Sequence, residues 1–184
     1  DRIVSPEDAQ AIRDACDGQR AVCVSLVREK KTENPPKLYD LTTLQREANR
    51  VFGYTAKQTL DYAQSLYEKK LTTYPRTDCR YLPEEQFSDA ARIITALSGV
   101  SGLEAVTAKA DSALRGPVWD TKKITAHHAI IPTGEEPRSL TAQEKELYLM
   151  IAVQYFLQFY PLCSTRPRRF WPPSWKRHGK PVAG

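Results

Sequence analysis

A mainly α-helical fold with a minor β part is predicted by three observations. Between Asp40 and Pro161 the apolar residues recur at helical spacing in five separate runs. Each run carries its own start and stop residues, and only one early run alternates in the β-branched manner of a strand.

The first element, "SPEDAQAIRDACDG", reads as a helix with Ser5 as N-cap, Pro6 at the first helical position, acids in the first turn and Gly18 at the end. "RAVCVSLVREKKTENPP" then changes period. Val22, Val24 and Leu26 alternate with Cys23, Ser25 and Val27 until Pro35 and Pro36 stop the strand. A lone helix and strand cannot bury their apolar faces, so this pair must lean on partners outside the segment.

The helical runs follow. "TTLQREANRVFG" stops at Gly53. "TAKQTLDYAQSLYEKK" opens with a capping box, Thr55 and Gln58, and repeats Leu60, Ala63, Leu66 and Tyr67 on one face. "LPEEQFSDAARIITALSG" has Pro83 near its start and Gly99 at its end, and "SGLEAVTAKADSAL" begins with a Ser101–Glu104 box. "TAQEKELYLMIAVQYFLQFYP", capped by Thr141 and Glu144 and stopped by Pro161, is apolar enough all round to be a central core helix. Two stretches refuse the helical period: "LTTYPRTDCRYL" and "TKKITAHHAIIPTGEEPRS".

The formal charge of +5 suggests a nucleic-acid partner until its distribution is read. Residues 164–184 hold six basic residues and no acid; 27 basic residues less those six leave 21 against 22 acids in residues 1–163. The body is close to neutral, and net charge alone gives no warrant for DNA binding. Four prolines in the basic tail rule out a helix or an interior strand there, and Trp171 and Trp175 beside basic residues are a weak signal for stacking on single-stranded bases.

Cys16, Cys23, Cys79 and Cys163 form no C-x-x-C pair, and with three histidines they complete no zinc spacing. They read as reduced thiols of a cytosolic protein. No run approaches the length of a membrane span, and the N-terminus lacks the pattern of a signal peptide. A chain starting at Asp1 is expected to be a piece of something longer.

The chemistry centres on the first irregular stretch. Pro75 biases Tyr74 toward extended backbone, where residues i and i+2 share a face, about 7 Å apart at their bases. The phenol of Tyr74 and the guanidinium of Arg76 can then converge on one group. A guanidinium matches phosphate oxygens in a bidentate fork, whereas a free phenol, with a pKa of about 10, is almost wholly protonated at neutral pH. A tyrosine that attacks phosphorus therefore needs a cation beside it and a base for its proton. Alone, such a triplet more often means Tyr74 packed on the preceding helix and Arg76 paired with Asp78 on the surface. The second stretch adds His127 and His128, side chains able to donate to a phosphate oxygen, or simply to a backbone carbonyl.

Together, "LTTYPRTDCRYLP" and "AHHAIIPT", some fifty residues apart, resemble the two signatures of type IA DNA topoisomerases. Proline after the tyrosine, and A-H-H-A-I-I-P-T in place of A-H-E-A-I-R-P, resemble the bacterial topoisomerase III branch, as does "KLYDLTTLQREANRVFGYTAKQTL". The likeness runs from about residue 2 to residue 162.

The resemblance implies that Tyr74 is the nucleophile that forms a 5′-phosphotyrosine on single-stranded DNA, that Arg76 is the cation at the scissile phosphate, and that strands are passed and resealed without ATP. It gives His127 a supporting role by hydrogen bonds at the active site or the DNA. Asp78 is expected to orient Arg76, Arg80 to touch DNA, and His128, which departs from the glutamate of the other branch, to lie at the DNA with its role open. Magnesium and the proton-transferring acid belong, by the same resemblance, to a Toprim domain whose acidic cluster this sequence lacks. No metal is expected in this chain, and the Toprim and other domains are its expected partners. Residues 1–40 resemble one leg of the arch domain and 41–161 the tyrosine-bearing domain. From Ser164 the sequence does not match the family's continuation, so the 162–184 segment is expected to be irregular and has no assigned function. The implied location is the bacterial cytoplasm, at the nucleoid. A tyrosine recombinase fits less well, since "HHAI" supplies no H-x-x-R element. A non-catalytic helical DNA-binding module is the alternative for the isolated chain.

Overall fold

The helix ends lie largely where their capping residues place them in the computed structural model, which describes residues 5–19 and 34–161. The expected strand within 21–27 and the tail from residue 162 lie outside the described residues. The chain divides into two units, residues 1–30 and residues 31–184. The described part of the first is helix α1, Pro6–Cys16, whose N-cap Ser5 accepts from the Asp8 amide at 3.0 Å. None of its residues is buried, and Cys16 is an exposed free thiol.

The second unit begins before the boundary at residue 40 expected from sequence. Leu38 and Tyr39 are core residues, and the Pro36 and Lys37 carbonyls accept from Gln158 and Gln154. Its helices are α2, Leu41–Phe52, α3, Ala56–Glu68, α4, Ala90–Leu97, a single turn α5, Glu104–Thr107, and α6, Ala142–Phe156. A reciprocal Asp40–Thr43 cap opens α2 and Gly53, at φ 77°, closes it. The expected boxes at Thr55–Gln58 and Thr141–Glu144 both form.

The core is built around α6. Leu147 through Val153, Tyr155 and Phe156 are all buried, so this helix has no solvent face over most of its length. It packs on α3, which packs on α2. From these two come Leu44 and Ala48, and Thr59, Ala63 and Leu66, each set one turn apart. Each fully buried Leu, Ile, Met or Phe contributes about 1.5–3 kcal/mol through removal from water. Trp119 closes the far side, 5.0 Å from Phe87 and 5.3 Å from Phe159 between ring centroids.

Two expected helices are shortened. "LPEEQFSDAARIITALSG" begins as a 3-10 segment, Glu84–Asp89, and becomes α-helical only at Ala90. Phe87 is held edge-on against Trp119, and the Ser88 hydroxyl bonds back to the Glu85 carbonyl, which favours the tighter turn. The Ser101–Glu104 box does not form. Glu104 accepts instead from the amide of Gly102, whose φ of 100° breaks helical continuity, and beyond α5 the Asp111 amide is drawn to the Phe159 carbonyl.

Among the described residues the β part is three isolated bridges: Tyr39 with Ile130 and Thr72 with Pro132, both antiparallel, and Leu82 with Trp119, parallel. Thr72, Leu82, Ile130 and Pro132 fall in the two stretches that lack helical period, and Tyr39 and Trp119 lie outside them. No described helix is long and apolar enough to cross a membrane.

One buried charge joins α3 to α6. Glu144 is 5% exposed and accepts from Lys69 at 2.8 Å through each oxygen, from the Ser65 hydroxyl and from the Thr141 amide. Burial alone would raise its pKa, yet the hydrogen bonds from Lys69, Ser65 and Thr141 together outweigh it and hold the carboxyl at about 2, below its ordinary 4.5. A depressed carboxyl stabilises the fold fully above the unfolded-state value and loses that contribution as pH falls toward the folded one. Glu144→Gln is therefore expected to cost about 1–3 kcal/mol at pH 7. The difference from wild type should shrink between pH 4.5 and about 2. Urea midpoints across that window check it, and a gap independent of pH would remove the charge from the explanation.

Candidate active site

Helix α3 ends in a turn that aims the next residues along a new path. The Leu71 amide reaches back to the Leu66 carbonyl at 2.9 Å and the Lys70 amide to the Tyr67 carbonyl at 2.8 Å, the bond pair of a Schellman closure. Lys70 occupies the left-handed position at φ 60°, where glycine is the usual residue. Its carbonyl accepts from the Thr133 hydroxyl at 2.6 Å.

From here the chain is extended and pairs with residues 129–133. The Thr133 amide donates to Leu71 and the Thr73 amide to Ile131, at 3.1 and 3.0 Å. The Thr73 hydroxyl adds a cross-link of its own, donating to the Ala129 carbonyl and accepting from the Ile131 amide, both at 3.0 Å. One side chain thus fixes the residue before Tyr74 to the residues after His127 and His128.

The result is a row of rings. Tyr74 lies 4.6 Å from His127 at a tilt of 44°, and 5.5 Å from Tyr67 in an edge-on arrangement. Tyr74 is half-buried, while His127 and Tyr67 are exposed. Tyr67, Glu68, Lys70, Thr72, Thr73, Tyr74 and Thr133 line an open depression beside it. Tyr67 was expected on the core face of α3 and instead stands at the edge of this depression.

The other expected site residues divide. The extended backbone does not continue to Arg76: Pro75 is buried and the chain bends at Pro75 and Arg76, with the Thr77 carbonyl held by the Leu41 amide at 3.0 Å. Arg76 is exposed and, among the described residues, its guanidinium has no hydrogen-bond or ion-pair partner. Asp78 is also exposed, and the orienting contact expected between it and Arg76 is not formed. Arg80 donates from Nε to the Leu38 carbonyl at 2.8 Å and from Nη2 to the Lys37 carbonyl at 3.1 Å, which makes it a clamp on the segment before α2. His128 turns Nδ1 to the Ala129 carbonyl at 2.8 Å, a contact that calls for the proton on that nitrogen. Thr73, Lys70 and Thr133 were not singled out by sequence, since their role is to bond backbone groups distant along the chain.

Among the described residues no three His, Cys, Asp or Glu side chains converge as metal ligands. They offer no such ligand set for the magnesium ion that the resemblance places in another domain.

Tyr74 is thus a half-buried phenol packed between the rings of His127 and Tyr67, and the arginine two residues on is unpaired among the described residues. A family model described as DNA topoisomerase matches residues 1–170. The chain belongs to the type IA DNA topoisomerase family, in its topoisomerase III branch. It is 42% identical over 148 residues to DNA topoisomerase 3 of Vibrio cholerae, covering 78% of this chain and 23% of that protein. To DNA topoisomerase 3 of Salmonella typhimurium it is 41% identical over 162 residues, 87% of this chain and 25% of the relative. To that of Shouchella clausii it is 38% identical over 170 residues, 88% and 23% respectively. The chain thus spans about a quarter of the length of the curated relatives it matches.

The Thr73 cross-link makes a measurable claim. Thr73→Val keeps the shape but leaves the Ile131 amide without its acceptor, so the domain is expected to lose about 1–3 kcal/mol by urea denaturation. The ring protons of His127 should also lose the shielding that the Tyr74 face gives them. Thr73→Ser should preserve both. Unchanged His127 shifts in folded Thr73→Val would show that the hydroxyl does not set this register.

Proposed function

We propose that the parent protein cleaves and reseals single-stranded DNA through Tyr74. The observation that carries this is the half-buried Tyr74 ring between His127 and Tyr67, on a segment cross-linked by Thr73 and followed by an Arg76 that is unpaired among the described residues. The phenol oxygen attacks a backbone phosphorus, the bond from phosphorus to the 3′ oxygen breaks, and the phenolic proton passes by way of a base to that oxygen. The products are a 5′-phosphotyrosine and a free 3′ hydroxyl. Resealing is the reverse reaction. The energy of the broken ester is kept in the new one, so no ATP is needed.

Arg76 binds and stabilises the charge that grows on the phosphate, the role for which a permanently charged fork is suited. His127 packs on the nucleophile and supplies ring nitrogens to the phosphate or the strand. His128, with Nδ1 held by a carbonyl, offers its other nitrogen to DNA. Asp78 would orient Arg76 once DNA is bound, and Arg80 holds the site's backbone with its remaining donors turned to the strand.

The acid that moves the proton and the magnesium ion, in this reading, come from a Toprim domain supplied by the rest of the parent protein, which works at the bacterial nucleoid. Residues 41–161 act as the tyrosine-bearing domain and residues 1–40 as part of the arch.

The isolated chain, mixed with supercoiled DNA and magnesium, is expected to leave the DNA supercoiled; relaxation would overturn the division of labour. In the complete enzyme Tyr74→Phe should abolish the denaturation-resistant adduct on a labelled single strand while retaining binding. Reversible, salt-sensitive retention by the wild-type enzyme with no adduct would instead make this a DNA-binding module.

A further inference from the structure

Among the described residues, exposed aromatic side chains are rare. Among the described residues only Ile12 and Tyr67 are large apolar side chains left substantially in water, at 49% and 40% exposure. Ile12 lies on α1, in the other unit. Tyr67 sits on the last turn of α3, seven residues before Tyr74, with its ring edge-on to the Tyr74 ring at 5.5 Å.

Tyr67 lies among both apolar and polar groups. The depression it lines is otherwise walled by Lys70, Glu68 and the threonines at 72, 73 and 133, with Tyr74. The Glu68 carboxylate accepts from Gln64 at 3.0 Å. The Lys70 ammonium has no hydrogen-bond or ion-pair partner among the described residues, although the backbone at Lys70 is held in the costly left-handed region at φ 60°. The Thr72 hydroxyl is buried with no hydrogen-bond partner among the described residues. A partly exposed aromatic ring and an unpaired ammonium beside one depression match a nucleotide, which offers a π-face and an anion.

We infer that Tyr67 and Lys70 form a nucleotide subsite, in which the base next to the scissile phosphate stacks on the Tyr67 ring and a neighbouring phosphate meets the Lys70 ammonium. The inference rests on Tyr74 as the nucleophile. A base hangs one sugar from its own phosphate, and 5.5 Å separates the two rings, so a strand seated at Tyr74 brings an adjacent base to Tyr67. Stacking on a tyrosine tolerates any base, because every base has a π-face. The subsite would thus hold the strand in position without reading its sequence.

The test uses the full 184-residue chain and a short single-stranded oligothymidine carrying one 2-aminopurine, whose fluorescence falls when it stacks. Quenching is expected on binding to the wild-type chain. Tyr67→Ala should weaken affinity about ten-fold and abolish the quenching, while Tyr67→Phe and Tyr67→Trp should retain both. An oligonucleotide abasic at the probe position should lose affinity to the same extent on the unaltered chain, which needs no variant to fold. Lys70→Gln should weaken binding and lower its salt dependence, Tyr67→Ala the former only. Unchanged affinity for Tyr67→Ala and for the abasic strand, or no quenching on binding, overturns the subsite.

Covalent trapping by the complete enzyme is read separately. An adduct that survives Tyr74→Phe would refute the nucleophile while leaving the stacking result standing. A Tyr74-dependent adduct together with unchanged Tyr67→Ala binding would do the reverse.

Discussion

The pairing of residues 70–73 with residues 129–133 is the constraint on which the site depends. Both segments run through the protein without helical hydrogen bonds, and both contain buried residues: Leu71 and Thr72 in one, Ala129 to Pro132 in the other. Buried amides and carbonyls need partners, and no adjacent sheet supplies them. Each segment satisfies part of the other, and the Ala129 and Ile130 amides go to the Tyr81 and Tyr39 carbonyls. Pro132 has no amide to give, and around it the Thr73 and Thr133 hydroxyls supply bonds that a regular ladder would have made from backbone. The side chains at 74 and 127 are then neighbours by register, because one lies just beyond Thr73 and the other just before the Ala129 carbonyl that Thr73 holds.

This pairing is anchored to the core at its helical end. Lys69 caps α3 and, in the same place, binds the buried Glu144 of α6. The partner of a buried charge has little freedom to move, since separation would leave the carboxylate without compensation. The Schellman turn at Lys70 begins one residue later. A helix with no solvent face, an ion pair and a tight closure therefore stand in series behind Tyr74, so the phenol is carried by a rigid base even though its ring is half-exposed. Mobility, where the site needs it, is left to Arg76 beyond the bend and to the exposed His127.

What the sequence disclosed follows from the range of each interaction. The boxes at Thr55–Gln58 and Thr141–Glu144 act across three residues and were legible as spacing alone. So was the burial of α6, which needs only a count of apolar residues. The Ser101–Glu104 box had the same spacing and failed, because Gly102 between its members took a conformation that spacing does not encode. Tyr67 was misplaced for a related reason. Its position matches the inward stripe of Ala63 and Leu66, but the helix ends at Glu68, so its ring has no next turn to cover it and meets Tyr74 instead. Tyr74 and the histidines were found as motifs. Thr73 was not, since its partners lie 56 and 58 residues away and a threonine beside a tyrosine has no periodicity to betray it.

The pattern of paired and unpaired charge carries the argument one step further. The body before the tail is close to neutral, so long-range attraction cannot bring a polyanion to this domain, and any selectivity must come from where individual cations stand. Many exposed cations are engaged by local acids: Arg92 by Asp89, Arg115 by Glu84, Lys123 by Asp120 and Arg138 by Glu136. Such pairs add little stability but cancel the field at short range. Lys70 and Arg76, on either side of Tyr74 in the chain, have no acid among the described residues. Asp78, two residues from Arg76, is near enough in sequence to have paired with it, and the bend at Pro75 and Arg76 leaves the two apart. Positive charge is thus withheld from internal pairing on the segment that bears the phenol, which is where an incoming phosphate would have to compete for it.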